Sequence, residues 1–154
     1  MNIVVTGTPG TGKTTFSKAL AKKISYSVIN EKDFALKNGI GKFSENDELE
    51  IPLNLFEKKA NSFLLKNNNT IFEGHLLCEL KLKVDKVILL TLDPEKLEMR
   101  LNLRNYSPEK IMDNVFCEGI EYCKKHARRN YNNLIEIESR EITKMLSQAL
   151  KELG

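Results

Sequence analysis

The chain has 154 residues, of which 41% are hydrophobic and 29% charged, a composition typical of one globular domain that buries a sizeable core. Its 24 basic and 21 acidic residues give a net charge of only +3, which does not by itself indicate nucleic-acid binding. No apolar run approaches the roughly 18 residues of a membrane span, no signal segment is visible, and three scattered cysteines indicate reduced thiols. We therefore expect a cytoplasmic protein with no membrane partner.

A phosphate-binding motif follows the first predicted strand, residues 2–5. Residues 6–15 read TGTPGTGKTT, and apolar side chains recur at helical spacing over residues 14–24. The pattern G-x-x-x-x-G-K-[ST] of the P-loop is matched by Gly7, Gly12, Lys13 and Thr14. In a strand–loop–helix unit the backbone N–H groups and the helix dipole point at one spot, and glycines let the loop curl around phosphate. The motif predicts a nucleotide site.

The residue types of this loop also predict how the nucleotide is held. Lys13 can reach the β- and γ-phosphates as a point charge, and the Thr14 hydroxyl can bind Mg²⁺. The backbone N–H groups of residues 10–15 would surround the phosphates, with Thr15 nearest the α-phosphate. We expect Mg²⁺ as the cofactor and ATP as a substrate.

Strands and helices alternate along the rest of the chain, which predicts an α/β fold with a parallel sheet covered on both faces. Residues 31–69 are interpreted as a polar, mainly helical insertion with a helix near Leu53–Leu65. One long helix is predicted from Ser107 to about Tyr131, with Tyr122 near its inner face. Further strands are predicted at residues 27–30, 70–73, 86–92 and 134–137, and further helices from Asp93 and over 140–152. The predicted architecture is a P-loop NTPase three-layer fold with five parallel strands and a ligand at their carboxyl ends.

An acid and a histidine end the third predicted strand, as Glu73-Gly74-His75. One interpretation places the Glu73 carboxylate near Mg²⁺, with His75 orienting water or a phosphate. The alternative is an acid that caps the turn and a histidine with only local hydrogen bonds. The position after an apolar strand favours the functional interpretation.

Two arginines lie four residues apart on the helix that starts at Asp93. Planar guanidinium groups suit the charge that spreads over a transferring phosphoryl group, so Arg100 or Arg104 is a candidate for that role. Pairing with Glu98 or another surface acid is the alternative. Two acidic features stay open in the same way. Asp33 recognises an acceptor or caps a short helix, and residues 45–50 form a lid or a solvated loop.

Several patterns together resemble the adenylate kinase isoenzyme 6 family. They are GTPGTGKTT, Glu73-Gly74-His75, and Arg100-Leu101-x-x-Arg104-x-Tyr106 followed by Lys110-x-x-Asp113-Asn114. The similarity runs over nearly the whole chain. It implies a small nucleoside monophosphate kinase that uses ATP and AMP, also described as an ATPase in small ribosomal subunit maturation. A small-subunit ribosomal protein and pre-ribosomal RNA are then the implied partners.

The resemblance also implies site residues and regions within a single domain over residues 1–154. The acceptor-binding insertion falls at about residues 30–53, including Asp33, and a short lid falls at about residues 103–113. By position, the ATP contacts fall on Gly10, Gly12, Lys13, Thr14, Thr15 and Arg104, with Arg140 near the adenine.

Two positions depart from the family pattern. Glu73 stands where the family often has Asp, and the extra methylene moves the carboxylate. Asn105 stands where it often has Gly, but asparagine tolerates left-handed dihedrals, so the turn can form. The chain also lacks the large lid and four-cysteine zinc set of bigger adenylate kinases, and weaker water exclusion predicts some ATP hydrolysis beside transfer.

Two functional hypotheses follow. The first is a kinase that moves the ATP γ-phosphate to AMP, with Lys13 and Arg100 carrying the transition-state charge and Glu73 and His75 assisting. The second is an ATP-gated ribosome assembly factor with little kinase activity, suggested by the short lid and the basic residues 124–129. Kinases for shikimate, gluconate or cytidylate would need another acceptor signature than Glu31-Lys32-Asp33.

Overall fold

A five-stranded parallel sheet forms the centre of the structure, a computed structural model that describes all residues 1–154. The chain has seven strands. Five of them form this sheet in the order β2-β5-β1-β6-β7, and β3 and β4 form a separate antiparallel hairpin. The strands are β1 (Asn2–Thr6), β2 (Ser27–Asn30), β3 (Lys42–Phe43), β4 (Leu49–Glu50), β5 (Thr70–Glu73), β6 (Lys86–Thr91) and β7 (Leu134–Glu138). The predicted P-loop fold is confirmed.

Seven α-helices surround the sheet: α1 (Lys13–Ile24), α2 (Glu31–Lys37), α3 (Leu53–Lys66), α4 (Pro94–Leu103), α5 (Pro108–Gly119), α6 (Tyr122–Asn130) and α7 (Ile142–Leu153). The predicted starts of α4 and α5 are confirmed, since the side chains of Asp93 and Ser107 each accept a backbone N–H of the first turn. A 3-10 turn over Leu76–Glu79 follows β5. Measured against the length and hydropathy that a bilayer crossing requires, none of these helices qualifies.

Alternate residues of β1 point to opposite faces of the sheet, and on each face they pack in an apolar cluster with the helices that cover it. Val4 packs with Phe34, Phe56 and Phe72 in one apolar cluster. Ile3 and Val5 pack in the other cluster, with α1 and α7. Every residue of β1 is buried, so this strand is held rigidly at the centre, directly before the phosphate motif.

The single long helix predicted after Ser107 is wrong. The chain forms α5 and α6 instead, separated at Ile120 and at Glu121, whose φ of 58° is left-handed. Gly119, a poor helix former, ends α5. The break rotates the following helix, so Cys123 is buried and Tyr122, predicted on the inner face, is exposed.

The segment of residues 31–69 is only partly the helical insertion that we expected. Between α2 and α3 it forms the β3–β4 hairpin, in which Phe43 pairs with Leu49 and Lys42 with Glu50. The acidic residues 45–50 therefore make up the turn and the second strand of this hairpin.

The aromatic cluster around Phe72 gives a stability prediction. Its fully buried ring makes edge contacts with Phe34 at 5.1 Å and Phe56 at 5.9 Å between ring centroids. We expect Phe72→Ala to lower the free energy of unfolding by about 3–5 kcal/mol, because burial is lost and a cavity is left. Phe116→Ala is the matched control, since Phe116 is 64% exposed. Urea unfolding measures both, and equal losses would contradict this packing.

Candidate functional site

The loop between β1 and α1 curls into a nest of backbone amides. Gly10 and Gly12 have φ of 96° and 92°, values that favour glycine. The carbonyl oxygen of Thr8 accepts the Thr11 hydroxyl at 2.8 Å and the Lys13 Nζ at 3.2 Å. Gly12 caps α1, so the N–H groups of the first helical turn are available to an anion.

Lys13 carries the positive charge of this nest. Burial lowers its pKa, while the carboxylates of Glu31 and Glu73 act in the opposite direction. A partly desolvated ammonium interacts with phosphate more strongly than one in bulk water, because the local dielectric is lower. Lys13 therefore lies where it can bind the charged end of a polyphosphate.

Thr14 and Glu73 offer oxygen ligands at the mouth of the loop. The Thr14 hydroxyl donates to Glu73 Oε2 at 3.0 Å, and Asn30 Nδ2 donates to the other carboxylate oxygen. Glu73 is 1% exposed, and because both of its carboxylate oxygens accept from these two side chains, it does not cap its own turn. The chain has no cluster of three or more His, Cys, Asp or Glu side chains with metal-site geometry. One carboxylate and one hydroxyl nevertheless fit Mg²⁺, which keeps several waters and binds substrate phosphates.

Glu31 is a buried acid that the sequence analysis did not assign a role. Its carboxylate accepts the Leu76 N–H at 3.0 Å and lies 3.1 Å from His75 Nδ1. Burial raises the pKa of Glu31 to about 7. Although half of the His75 side chain is exposed, burial of its ring and the Lys13 charge lower the pKa of His75 to about 4. The ring is therefore neutral at physiological pH.

The position of Glu31 could have been found from strand register. Asn30 ends β2 opposite Glu73, the last residue of β5, so the residue after Asn30 lies beside the Glu73-Gly74-His75 turn. Only glycine fits at position 74, because a Cβ there would clash with Glu31 Oε1.

Arg100 lies beside the P-loop and is not paired with an acid. Its Nη1 donates to Ser139 Oγ at 3.1 Å and to the Gly10 carbonyl at 3.4 Å. The alternative pairing with Glu98 is therefore wrong for this arginine. Arg104 lies at the mouth of the loop with Tyr106. Between them Asn105 adopts a φ of 57°, which confirms that asparagine forms the left-handed turn.

Two clefts meet at the P-loop. The smaller, about 180 Å³, opens over Lys13, Thr14 and Thr15. The larger, about 810 Å³, is bounded by Glu31, His75, the β3–β4 hairpin and α5. Pro9 and Tyr106 line both clefts. Glu48 forms an ion pair with Lys110 at 2.8 Å across the larger cleft, and residues 47–50 line it. The acidic segment 45–50 is therefore not only a solvated loop.

Two predicted site residues lie apart from this group. Asp33 lines a separate cleft of about 560 Å³ between α2 and α3, and Asn30 takes the role of helix cap that was the alternative for Asp33. Arg140 donates to Gln148 of α7 at 2.9 Å and lines neither of the two clefts at the P-loop. Their predicted nucleotide contacts stay predictions.

Glu118 of α5 binds the P-loop through its carboxylate, a role that no sequence pattern predicts. Its Oε1 accepts the Thr8 hydroxyl at 2.8 Å and its Oε2 accepts the Leu92 N–H at 2.7 Å. One carboxylate therefore connects α5, the P-loop and the segment that follows β6.

We expect Glu118→Ala to lower the free energy of unfolding by about 1–3 kcal/mol and to weaken ATP binding, because the Leu92 N–H loses its acceptor. Glu118→Gln is the matched control. Its amide oxygen still accepts from Leu92, and its NH₂ group can donate to the Thr8 hydroxyl. Urea unfolding and calorimetry with Mg-ATP measure both effects. Equal behaviour of the two variants would show that these hydrogen bonds do not stabilise the loop.

Comparisons with known proteins show the family of the chain. A family profile described as "AAA domain" matches residues 3–121. A protein of Thermococcus kodakarensis named "Putative adenylate kinase" is 42% identical over 140 residues, covering 90% of this chain and 76% of that protein. A protein of the same name from Pyrococcus abyssi is 39% identical over 141 residues, covering 90% and 75%.

Solved structures of two kinases share the fold. A shikimate kinase from Bacteroides thetaiotaomicron gives a TM-score of 0.65 at 17% identity, covering 99% of this chain and 98% of that one. A gluconokinase from Sinorhizobium meliloti 1021 gives 0.64 at 15% identity, covering 99% and 90%. These low identities show the fold alone. The chain belongs to the AAA domain family of P-loop proteins, in the group that contains the archaeal proteins named as adenylate kinases.

Proposed function

We propose that the protein is a nucleoside monophosphate kinase that transfers the γ-phosphate of ATP to AMP with Mg²⁺. The observation that carries this proposal is the pair of clefts that share Pro9 and Tyr106. A hydrolase needs one nucleotide site, whereas a transferase needs a donor and an acceptor side by side. A volume of about 810 Å³ suits the second substrate, since small-molecule sites span roughly 300–1,000 Å³.

In the proposed reaction the donor lies in the P-loop nest. A phosphate oxygen of AMP attacks the γ-phosphorus, the bond to the β–γ bridging oxygen breaks, and two ADP molecules result. Lys13 neutralises charge on the β- and γ-phosphates, and Arg100 or Arg104 stabilises the charge on the transferring group. Thr14 and Glu73 would hold Mg²⁺, which supplies further charge neutralisation when bound.

The acceptor assignment rests on the names of the relatives and on the lining of the larger cleft. Lys32 and Lys110 are its lysines, and Lys110 is already paired with Glu48. The remaining charged groups are mostly carboxylates, which accept hydrogen bonds from exocyclic amino groups of a base. We therefore expect a base with an amino group, such as adenine, to be preferred over uracil.

Some ATP hydrolysis beside transfer is part of the proposal. Only residues 104–107 separate α4 from α5, so little chain is available to cover the reacting phosphates. Water that reaches the γ-phosphate can replace AMP as the attacking group.

A role in small-subunit ribosome assembly stays a prediction. The basic residues 124–129 that suggested it are partly neutralised, since Lys124 pairs with Glu121 and Arg128 with Glu136. A pull-down from lysate with and without ATP tests it, and the absence of any ribosomal partner in both states argues against it.

We expect Lys13→Met to reduce AMP-dependent ADP formation by at least about 100-fold, because the charge on the phosphates loses its counterion. Lys18→Met is the control, since Lys18 lies on the exposed side of the same helix. A coupled assay with Mg-ATP measures both variants. Full activity of Lys13→Met would contradict the assignment of the donor site.

The acceptor is tested by a panel of AMP, GMP, CMP, UMP, shikimate and gluconate at fixed Mg-ATP. We expect AMP to stimulate ADP formation most strongly. If no monophosphate stimulates it, the kinase proposal fails, and stimulation by shikimate or gluconate would redirect it to another acceptor class.

A further inference from the structure

Glu31 binds only one of the two nitrogens of the His75 ring. Its Oε2 lies 3.1 Å from Nδ1, and its Oε1 is occupied by the Leu76 N–H at 3.0 Å. No protein atom hydrogen bonds to Nε2, and the half-exposed ring lines the larger cleft. Glu31 is therefore placed to determine which nitrogen carries the proton of the neutral ring.

We propose that Glu31 is a positioning residue that holds His75 as its Nδ1–H tautomer, so that Nε2 is a hydrogen-bond acceptor for an O–H group in the acceptor cleft. At pH 8, above its raised pKa of about 7, Glu31 is ionised and can only accept hydrogen bonds. Because Oε1 already accepts from the Leu76 N–H, the contact of Oε2 with Nδ1 requires a proton on Nδ1. Gly74 makes this contact possible because a larger residue would displace Glu31.

This inference rests on the proposed function and adds the chemical class that His75 serves. An imidazole with a free lone pair at Nε2 cannot donate to a phosphate oxygen, but it can accept from a water or a hydroxyl. When water attacks the γ-phosphorus, Nε2 accepts a hydrogen bond from the water and orients its oxygen. The other proton of the water passes to a phosphate oxygen, the bond to the bridging oxygen breaks, and ADP and inorganic phosphate leave. An AMP phosphate oxygen carries no proton to give, so transfer depends less on His75.

The tautomer is directly measurable because the chain has only two histidines. Long-range ¹H–¹⁵N correlation spectra of the ¹⁵N-labelled protein at pH 8 distinguish Nδ1–H from Nε2–H rings, and His126→Gln assigns the His75 signals. We expect Nδ1–H in the wild type. An Nε2–H ring would overturn the proposal, whatever the kinase assays show.

Two substitutions at Glu31 distinguish an effect on the His75 tautomer from an effect on the fold. In Glu31→Gln the amide oxygen can keep the Leu76 bond while the amide NH₂ donates to Nδ1, which forces the proton to Nε2. We expect this variant to show the Nε2–H tautomer, and Glu31→Ala to show a mixture. Glu152→Gln is the control for loss of a carboxylate, since Glu152 is exposed on α7. An unchanged Nδ1–H signal in both Glu31 variants would show that Glu31 does not determine the tautomer.

Kinetics then test whether Glu31 acts through His75. We expect Glu31→Gln and His75→Ala each to lower the kcat of ATP hydrolysis without acceptor about tenfold or more, and AMP-dependent transfer by less than about threefold. In the His75→Ala background, Glu31→Gln should change hydrolysis by less than about twofold. A full additional loss in the double variant would assign Glu31 a role independent of the histidine. Equal losses in hydrolysis and transfer would show that His75 does not serve water selectively.

Discussion

The structure depends on the main-chain conformation of the P-loop, which is held before any phosphate binds. Thr8 is central to it. The Thr8 carbonyl accepts from Thr11 and Lys13, and its hydroxyl donates to Glu118. These hydrogen bonds keep the glycines in left-handed conformations and the loop N–H groups turned toward one point. Preorganisation of this kind reduces the reorganisation that binding would otherwise require.

Strand order then brings the remaining chemistry to the loop. β1 lies between β5 and β6, so the ends of both neighbours border the nest. β5 ends at Glu73, which contacts Thr14, and β6 leads to Leu92, which is held by Glu118. β2 lies on the other side of β5 and places Asn30 against Glu73 and Glu31 against His75. Parallel strands collect these groups at one edge although they are far apart in sequence.

The sequence predicted what local patterns determine. The P-loop, the five strands, the Asp93 and Ser107 caps and the left-handed Asn105 each follow from a few adjacent residues. Contacts between distant segments were not predictable in this way. Glu118 lies 110 residues from Thr8, and Glu31 lies 45 residues from Leu76, so neither has a signature in its neighbours. The break between α5 and α6 was missed because a continuous apolar pattern concealed it, although Gly119 gave a weak signal.

The donor and acceptor halves of the site differ in how they are built, and this difference bears on specificity. Lys13, Thr14 and Glu73 are positioned by buried strands and by α1, whose apolar face packs in the core. The acceptor wall comes from the β3–β4 hairpin and α5, where Phe43 is 56% exposed and the Glu48–Lys110 pair is open to solvent. Exposed ion pairs contribute little to stability, so substitutions there can alter the acceptor without disturbing the fold. His75 is the exception on the acceptor side, since its ring is held by the buried carboxylate of Glu31. The acceptor preference can therefore change independently of the phosphate chemistry.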